Sequence, residues 1–233
     1  MYRDDFLVIA GGDYRQEWLI PWWWSGLRKN YSGSVFFGDL GLSPAGLACC
    51  RSLGFEPQQI SRDDADPQSC AWFLKPRVIR IALSAGTRCA IWLDLDCQVL
   101  GDLSTIIGCI GDQPGLSMRP DEWEIRHPSG RVLPGEFPYV SGLIGMRDFN
   151  PTGWEELCLF CQRFVPGDQD VLTRLIHRRR LRVVALEPKH CLFPWSWEPA
   201  VRPAVFHHAG PTAKQLLRRE LEVEDKSEME DTL

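Results

Sequence analysis

Two aspartates separated by a single residue follow an apolar run near the middle of the chain. Asp94 and Asp96 stand in the stretch IWLDLDCQVL (91–100), directly after Ile-Trp-Leu. An ionised carboxylate is costly to bury unless a cation pairs with it, and two adjacent carboxylates repel each other. Because residues i and i+2 of an extended segment point to the same side, we expect both carboxylates to face one shared partner. A hard divalent cation, Mn²⁺ or Mg²⁺, would take such oxygen ligands and keep other positions open for phosphate oxygens.

Two other interpretations of this pair stay open at the level of the residues. In the first, Asp94 caps the following turn while Asp96 faces water. In the second, the pair is that of a haloacid-dehalogenase type of phosphatase. In that family the D-x-D lies near the N-terminus and Thr or Val follows two residues later, whereas here Gln98 stands at that place, well into the chain. The phosphatase interpretation is therefore disfavoured.

Alternating strand-like and helix-like stretches would place this pair at the end of a strand. The predicted strands are DFLVIA (5–10), SVFFGD (34–39), FEPQQI (55–60), RCAIWLD (88–94), YVSGLIGM (139–146), LRVVALE (181–187) and AVFHHAG (204–210). The first predicted helix is a Trp-rich stretch that ends near residue 29. The second covers 43–54 with Ser43 as N-cap, and the third covers 69–86 with Pro76 at its start or at a kink. Further helices are predicted over 102–110, 153–164, 168–180 and 212–221, and loops with short strands over 112–138. This alternation predicts an α/β fold with a mostly parallel sheet flanked by helices, in which ligands bind beyond the carboxyl ends of the strands.

Composition and charge limit the classes to which the protein can belong. The chain has 233 residues and a formal net charge of −5, and residues 221–233 (LEVEDKSEMEDTL) carry six acids and one Lys, which accounts for that whole charge. We expect one domain over residues 1–220 and an acidic, flexible tail over 221–233. The formally neutral body argues against a nucleic-acid partner. Without a secretory signal pattern or an apolar stretch of spanning length, we expect a cytoplasmic protein, and peripheral membrane contact stays open.

The nine cysteines are scattered along the chain. In a reducing compartment we expect them to be free thiols that mostly fill the core. Cys158 and Cys161 form one C-x-x-C, but a structural zinc site would need a second pair or spaced His nearby. Two thiols on one face of a helix is the preferred interpretation.

Five stretches in a fixed order resemble the motifs of metal-dependent glycosyltransferases of the GT-A fold. They are LKPRVIRIAL (74–83), the D-x-D pair, YVSGLIGM (139–146), GDQDVL (167–172), and HHAG (207–210) with Lys214 after it. From about residue 5 to residue 216 the chain most resembles glycosyltransferase family 8, the group of glycogenin and bacterial lipopolysaccharide galactosyltransferases. The resemblance implies transfer of a hexose from a nucleotide sugar, of the UDP type, to a glycan or other hydroxyl acceptor. It also implies Mn²⁺ (or Mg²⁺) as cofactor and retention of the anomeric configuration.

The resemblance also implies a nucleotide site at the ends of the first strands. Ala10 and Gly11 would offer backbone atoms to the base, Tyr14 would stack on it, and Asp39 would contact the base or the ribose. Leu95 would lend backbone atoms near the ribose. Two alternatives stay open: Tyr14 as an ordinary aromatic at a helix start, and Asp39 as a turn former.

Three side chains match the metal ligands of the family. Asp94 and Asp96 would bind Mn²⁺ and, through it, the diphosphate, and His207 would be the third ligand. His208 is the alternative to His207, because the two histidines are adjacent. Neutral imidazole is a suitable ligand for Mn²⁺.

The remaining implied contacts are to the phosphates and the donor sugar. Lys75 would stand near the phosphates, with a solvated helix lysine as the alternative. The family pattern places a phosphate-binding Lys three residues after the Gly that corresponds to Gly210, and here Lys214 comes four residues after it. Ser141 and Gly142 would lie along the donor sugar.

The DQD segment supplies the catalytic candidates. Asp168 and Gln169 would bind sugar hydroxyls, since carboxylate and amide oxygens accept hydrogen bonds from a hexose. Gln169, Asp168 and Asp170 compete for the place beside the oxocarbenium-like sugar. Asp168 is also well placed as a helix N-cap. An inverting enzyme would need a carboxylate base, for which Glu136 and Asp170 are candidates.

Aromatic and basic stretches bear on the acceptor. Three successive Trp in PWWWSG (21–26) favour core packing, with a partner surface or acceptor platform as the alternative. In FPWSWEP (193–199), Trp195 and Trp197 would lie on the same side of an extended segment and could stack on a sugar. The run HRRRLR (177–182) is expected to be a solvated helix end, and a phosphate-bearing or lipid-linked acceptor is the sharper alternative.

Two other functions remain as alternatives. A nucleotidyltransferase of related fold would carry a Gly-rich, basic phosphate loop after its first strand, and AGGDYRQEW (10–18) has only two Gly and one Arg. A catalytically inactive, glycosyltransferase-like protein would bind sugar nucleotides without transferring the sugar. The oligomeric state is not predicted.

Overall fold

A seven-stranded sheet and a smaller three-stranded sheet form the framework of the protein. The computed structural model describes residues 6–62, 71–165, 167–196 and 198–230, with side chains described as far as residue 221. The strands are β1 (Leu7–Gly12), β2 (Val35–Asp39), β3 (Gln58–Gln59), β4 (Cys89–Leu93), β5 (Cys97–Val99), β6 (Gly115–Pro120), β7 (Tyr139–Arg147), β8 (Val183–Ala185), β9 (Cys191–Leu192) and β10 (Val205–His207). The larger sheet has the order β3-β2-β1-β4-β7-β6-β8, and the smaller has the order β5-β10-β9.

The larger sheet is mostly parallel, as the sequence predicts. Strand β1 pairs in parallel with β2 and β4, β2 with β3, and β6 with β8. Strand β7 alone runs antiparallel, between β4 and β6. All of β4 and the interior of β7 are buried, because both faces of a central strand are covered by helices in this architecture.

Eight α-helices surround the sheets within the described ranges. They are α1 (Ile20–Asn30), α2 (Pro44–Ser52), α3 (Lys75–Leu83), α4 (Ser104–Gly108), α5 (Glu122–Arg126), α6 (Thr152–Cys161), α7 (Asp168–Arg179) and α8 (Pro211–Glu230). The Ser43 hydroxyl caps α2 by accepting from Gly46 N at 3.1 Å, as predicted. Pro76 lies in the first turn of α3, so it starts this helix and does not kink it. In the described part of the chain, none of the helices combines the length and apolar character that crossing a bilayer requires.

The core is divided into two clusters by the larger sheet. Successive residues of β1 face opposite clusters, Val8 one and Ile9 the other, as the alternation of a strand requires. Trp23 and Trp24 are buried in the first cluster, where Trp24 stacks on Phe55 at 4.2 Å. The core interpretation of the three-Trp run is therefore confirmed. The C-x-x-C of α6 packs in the second cluster, as the core-filling interpretation predicts.

The smaller sheet joins two distant parts of the chain. Strand β5 directly follows Asp96, and β10 runs antiparallel to it with His207 opposite Cys97. Strand β9 then pairs in parallel with β10. Strands β5 and β9 are not predicted from the sequence, because runs of three and two residues are too short to show a periodicity. This sheet brings the late histidine to the aspartate pair.

The segment 112–138, predicted as loops with short strands, contains strand β6 and also helix α5. The helix was missed, because five residues make little more than one turn. Asp121 caps it, with Oδ1 accepting from Glu124 N at 3.0 Å. At the other end of the chain, α8 continues through Glu230, into the segment predicted as an acidic tail.

Candidate active site

The two aspartates lie in a turn between β4 and β5, beyond the carboxyl end of a central strand. Asp94 N donates to Gly142 O at 2.8 Å, and Cys97 N donates to Asp94 O at 3.0 Å, which closes the turn. The segment is therefore a turn and not the extended run that the sequence predicts. Each carboxylate faces its own cations.

Asp96 is buried and in contact with two basic groups. Its Oδ1 lies 3.2 Å from His207 Nε2, and its Oδ2 lies 3.0 Å from Lys214 Nζ. Burial by itself would raise the pKa of the Asp96 carboxyl, but His207 and Lys214 hold this pKa well below its ordinary value. Burial would likewise lower the pKa of Lys214, and Asp96 raises it above its usual value. Asp96 is therefore ionised at neutral pH.

The two adjacent histidines have different surroundings. The His208 ring meets Trp22 and Phe206 edge-on, with centroid distances of 5.4 and 4.8 Å. Burial lowers the pKa of His208. The geometry thus places the His207 ring, and not that of His208, against the Asp96 carboxylate.

Lys75 forms the second cluster of opposite charges. Its Nζ lies 3.1 Å from Asp94 Oδ1 and 3.1 Å from Asp168 Oδ2, and it donates to Ser141 O at 3.1 Å. Only 4% of the side chain is exposed, so the alternative of a solvated helix lysine is wrong. Burial would lower the pKa of Lys75, but Asp168 and Asp94 together raise it above its ordinary value. Trp92 Nε1 also donates to Asp94 Oδ1, at 2.6 Å.

Helix α7 brings the two acids of the DQD segment to buried positions. Gly167 is the N-cap of this helix, so the predicted capping role of Asp168 is wrong, and Asp168 is the first helical residue. Burial raises the pKa of Asp168, and Lys75 partly offsets that rise. Burial also raises the pKa of Asp170, whose Oδ2 lies 3.9 Å from Arg131 Nη1.

Gln169 is held at both ends of its amide group. Its Nε2 donates to Asp121 Oδ2 at 2.8 Å, and its Oε1 accepts from Ser141 N at 3.2 Å. A carboxylate only accepts and a backbone N–H only donates, so these partners fix which way the amide points. Asp121 is not predicted as a site residue, since an aspartate before a short helix indicates only a helix cap.

Strand β7 packs directly against the metal-ligand candidate His207. A Cβ atom at Gly142 would lie 2.7 Å from His207 Nε2 and 2.9 Å from its Nδ1. Real Cβ contacts are never so short, so the ring and any side chain larger than that of glycine cannot occupy these positions together. The Gly of the SGL segment therefore allows the imidazole to reach Asp96.

These groups open into one cavity of about 1180 Å³. The predicted site residues that line it are Gly11, Lys75, Asp94, Ser141, Gly142, Asp168, Gln169, His207, His208, Gly210 and Lys214. Asp96 lies behind His207 and Lys214, with which it pairs. The structure thus brings together the D-x-D, SGL, DQD and HHAG segments, which are far apart in the sequence.

Other predicted residues lie away from the cavity lining. The side chains of Ala10 and Leu95 are buried in the core. Tyr14 is 59% exposed, and Asp39 Oδ1 accepts from the backbone N–H groups two and three residues later, at 2.8 and 2.7 Å, which is the turn-forming alternative. Glu136, one candidate for an inverting base, accepts from Arg174 Nε at 3.0 Å.

Aromatic side chains line the cavity as well. Trp195, which is predicted to face the acceptor, is one of them. Trp72 and Trp123 line the cavity too, and neither is predicted as a site residue from the sequence. Trp72 and Trp123 are 43% and 54% exposed. No motif contains either residue, so no sequence signal links them to the site. Trp197 lies outside the described residues.

The donor set fits a divalent cation. Asp96, Cys97 and His207 each offer one ligand atom, and these three atoms lie within 4.8 Å of one another. Burial raises the pKa of the Cys97 thiol well above its ordinary value, and its Sγ donates to Gly142 O at 3.4 Å. The carboxylate oxygen and the imidazole nitrogen are therefore the suitable ligands of this group. Asp94, outside the cluster and 31% exposed at its side chain, is a further oxygen donor at the cavity.

A mostly parallel sheet flanked by helices, with an acidic turn at the carboxyl end of a central strand, agrees with the GT-A fold of glycosyltransferases. Comparison with solved structures confirms that this chain has it, as the sequence resemblance predicts. The similar structures include an active-site variant of LgtC in which glutamate replaces glutamine, with a TM-score of 0.58, 15% identity and 88% of each chain covered. LgtC is a galactosyltransferase that has also been solved in complex with donor and acceptor sugar analogues.

Two further structures share the fold. A glycosyltransferase involved in glycosylation of the major capsid of PBCV-1 has a TM-score of 0.56 at 12% identity, over 92% of this chain and 98% of that one. Mouse xyloside xylosyltransferase 1 has a TM-score of 0.55 at 11% identity, over 87% of this chain and 96% of that one. No protein-family model and no curated protein matches the sequence. The likeness is therefore one of fold.

Proposed function

We propose that the protein is a metal-dependent glycosyltransferase that transfers a hexose from a UDP-sugar to a hydroxyl acceptor. One observation carries the proposal: two clusters of opposite charges meet at one cavity of a GT-A fold. Asp94 pairs with Lys75, and Asp96 pairs with His207 and Lys214. A departing diphosphate needs such an array of cations and cation ligands, because negative charge grows on it as the anomeric bond breaks.

Asp94, Asp96 and His207 would hold the metal, Mn²⁺ or Mg²⁺. When bound, the metal supplies Lewis-acid stabilisation of the leaving diphosphate. Lys214 now neutralises Asp96 at 3.0 Å. If Asp96 held a cation, the Lys214 ammonium would be available to a phosphate oxygen, although Lys214 stands one residue later than in the family pattern. Lys75 keeps its place beside Asp94 and orients that carboxylate.

The ends of β1 and β2 would hold the nucleotide. Gly11 lines the cavity, and a Cβ there would lie 3.1 Å from the Gly38 carbonyl oxygen. Ala10 and Leu95 are buried, so their contribution would come from backbone atoms, as the resemblance implies. The exposed Tyr14 ring lies outside the cavity lining, 5.5 Å from the Arg15 guanidinium, and would stack on a base as the resemblance implies. Asp39 is engaged in its turn, and we assign it no contact with the donor.

Gln169 is the best-placed candidate beside the donor sugar. It lines the cavity, whereas Asp168 is paired with Lys75 and Asp170 faces Arg131. The amide oxygen of Gln169 keeps one lone pair beyond its bond with Ser141 N, and this could stabilise positive charge on the sugar. The active-site glutamine of LgtC supports the assignment. We propose retention of configuration, which the anomeric proton of the product would report by NMR.

A thermal-shift assay with UDP and Mn²⁺ tests the donor assignment. A ligand at about 100 times its Kd stabilises the folded form by about 2.7 kcal/mol, which raises the Tm of a protein this size by about 5–10 °C. We expect this shift in the wild type and its loss in Asp96→Ala and Asp96→Asn. Asp112→Ala, in an exposed turn, is the matched control. An unchanged Tm in the wild type, or an intact shift in both Asp96 variants, refutes the assignment.

A donor-hydrolysis assay then separates the alternative functions. A glycosyltransferase is expected to release UDP slowly from one UDP-hexose when Mn²⁺ is present. An inactive binding protein would show the thermal shift without any release. A nucleotidyltransferase would instead release pyrophosphate from UTP and a sugar phosphate.

A further inference from the structure

Two aromatic side chains form a corner at the cavity. The ring centroids of Trp123 and Trp195 are 6.3 Å apart, and the ring planes are inclined by 60°. Both residues line the cavity, and Trp123 is 54% exposed. We name these two residues the aromatic corner. Large aromatic faces left open to water inside a cavity are typical of a ligand-binding surface.

The aromatic corner is fixed relative to His207. Trp195 stacks on Phe193 at 4.9 Å, with the two planes only 4° apart. Phe193 is fully buried, and its ring lies 5.4 Å from that of His207. On the other side, His127 packs on Trp123 at 4.6 Å. A ligand in the corner is therefore held close to the end of the cavity where the Asp96 cluster lies.

We propose that the aromatic corner binds the acceptor, and that the acceptor presents a neutral pyranose ring there. The inference rests on the proposed function, because it assigns the second substrate of the same cavity. The C–H face of a pyranose packs on an indole ring, and its hydroxyls need hydrogen-bonding partners around that face. Asp121, Arg131 and Gln169 line the same cavity, and carboxylate, guanidinium and amide groups are suitable partners.

The charges of the cavity favour a neutral sugar over a phosphate-bearing acceptor. The two lysines of the described lining belong to the proposed donor site, where Lys75 pairs with Asp94 and Lys214 pairs with Asp96. Arg131 is ion-paired too, 3.2 Å from a Glu124 oxygen. The basic run 177–182 is absent from the described lining of the cavity. A phosphate at the corner would therefore meet no cluster of unpaired cations among these side chains.

Saturation-transfer NMR without UDP or metal tests the aromatic corner. The probes are methyl β-D-galactopyranoside, methyl β-D-glucopyranoside, lactose and maltose, with n-octyl phosphate as the anionic probe. We expect at least one sugar to bind and its Kd to rise about tenfold or more in Trp123→Ala and Trp195→Ala. Phe160→Ala removes an aromatic side chain that is 74% exposed and lies outside the cavity, and this control is expected to bind like the wild type.

Several outcomes would overturn the proposal. The first is that none of the four sugars shows a saturation-transfer signal. The second is that folded Trp123→Ala binds a sugar as tightly as the wild type does. The third is that octyl phosphate binds at the aromatic corner more tightly than the sugars do. Trp123→Phe keeps an aromatic face, so it should bind better than Trp123→Ala, and it serves if the alanine variant does not fold. A UDP–Mn²⁺ thermal shift without sugar binding refutes the aromatic corner alone. Sugar binding without that shift refutes the donor assignment and leaves the sugar site standing.

Discussion

Gly142→Ala is expected to separate the metal-binding histidine candidate from its aspartate. The added Cβ would lie 2.7 Å from His207 Nε2, 2.9 Å from Nδ1 and closer still to Cε1, so the whole ring must move away. His207 Nε2 stands 3.2 Å from Asp96 Oδ1, at the limit of a hydrogen bond, and such a shift breaks the contact. Overpacking costs about 1–3 kcal/mol, and loss of a contact with a buried charge costs about 1.5–3 kcal/mol more.

The stability change of Gly142→Ala can be measured by thermal denaturation. A total of about 2.5–6 kcal/mol lowers the Tm of a chain this size by about 5–24 °C. The matched control is Gly108→Ala at the end of α4, where an added Cβ meets nothing within 4 Å. That change should stabilise the fold by about 0.4–1 kcal/mol, because it restricts the unfolded chain.

Mn²⁺ binding by the same variant gives the second readout. Electron paramagnetic resonance of free Mn²⁺ should show weaker binding by Gly142→Ala than by the wild type, and equal binding by the Gly108→Ala control. An unchanged Tm together with an unchanged Mn²⁺ affinity in Gly142→Ala would refute the reasoning, because the ring would then have room that the structure denies it.

Three further perturbations test other contacts. Burial alone would raise the pKa of Glu155, but Arg77 and Arg80 hold this pKa below its ordinary value. Their Nε atoms donate to the Glu155 carboxylate at 2.7 and 2.5 Å. Glu155→Gln should therefore cost about 2 kcal/mol at neutral pH and progressively less as the pH falls below about 4.5; a pH-independent difference in urea unfolding would contradict this. Lys75→Met leaves Asp168 buried without its cation and should cost about 3–5 kcal/mol, less at low pH where that carboxyl is protonated, and an unchanged urea midpoint would count against the pairing. Asp121→Asn places a donor where two acceptors are needed, so it should lower the kcat of donor hydrolysis about tenfold through Gln169 and leave the UDP–Mn²⁺ thermal shift in place; an unchanged kcat would exclude this positioning role.

The sequence predicts the elements whose signal is local. Strands β1, β2 and β4 are buried runs bounded by turn residues, and α2 has its own cap and proline, so their positions follow from the residues. The D-x-D at the end of β4 is visible for the same reason. Strands β5 and β9 are set by pairing with β10 and have no signal of their own.

The candidate site is only partly predictable, because its contacts are tertiary. Asp94 and Asp96 look equivalent in the sequence, but α3 brings Lys75 to the first and α8 brings Lys214 to the second. Nothing local distinguishes the two partners. Trp123 lies on a helix of five residues, which is too short to show a periodic pattern. Its contact with Trp195 depends on the tertiary structure that brings the two segments together.

The order in which the two sheets are completed has a consequence for biosynthesis. The last strand of the larger sheet ends at Ala185, whereas His207 and Lys214 lie in and after β10. A growing polypeptide can thus complete the larger sheet while Asp96 still lacks the His207 imidazole and the Lys214 ammonium. We expect a nascent chain to lack the complete Asp96 cluster until the segment through Lys214 has been synthesised.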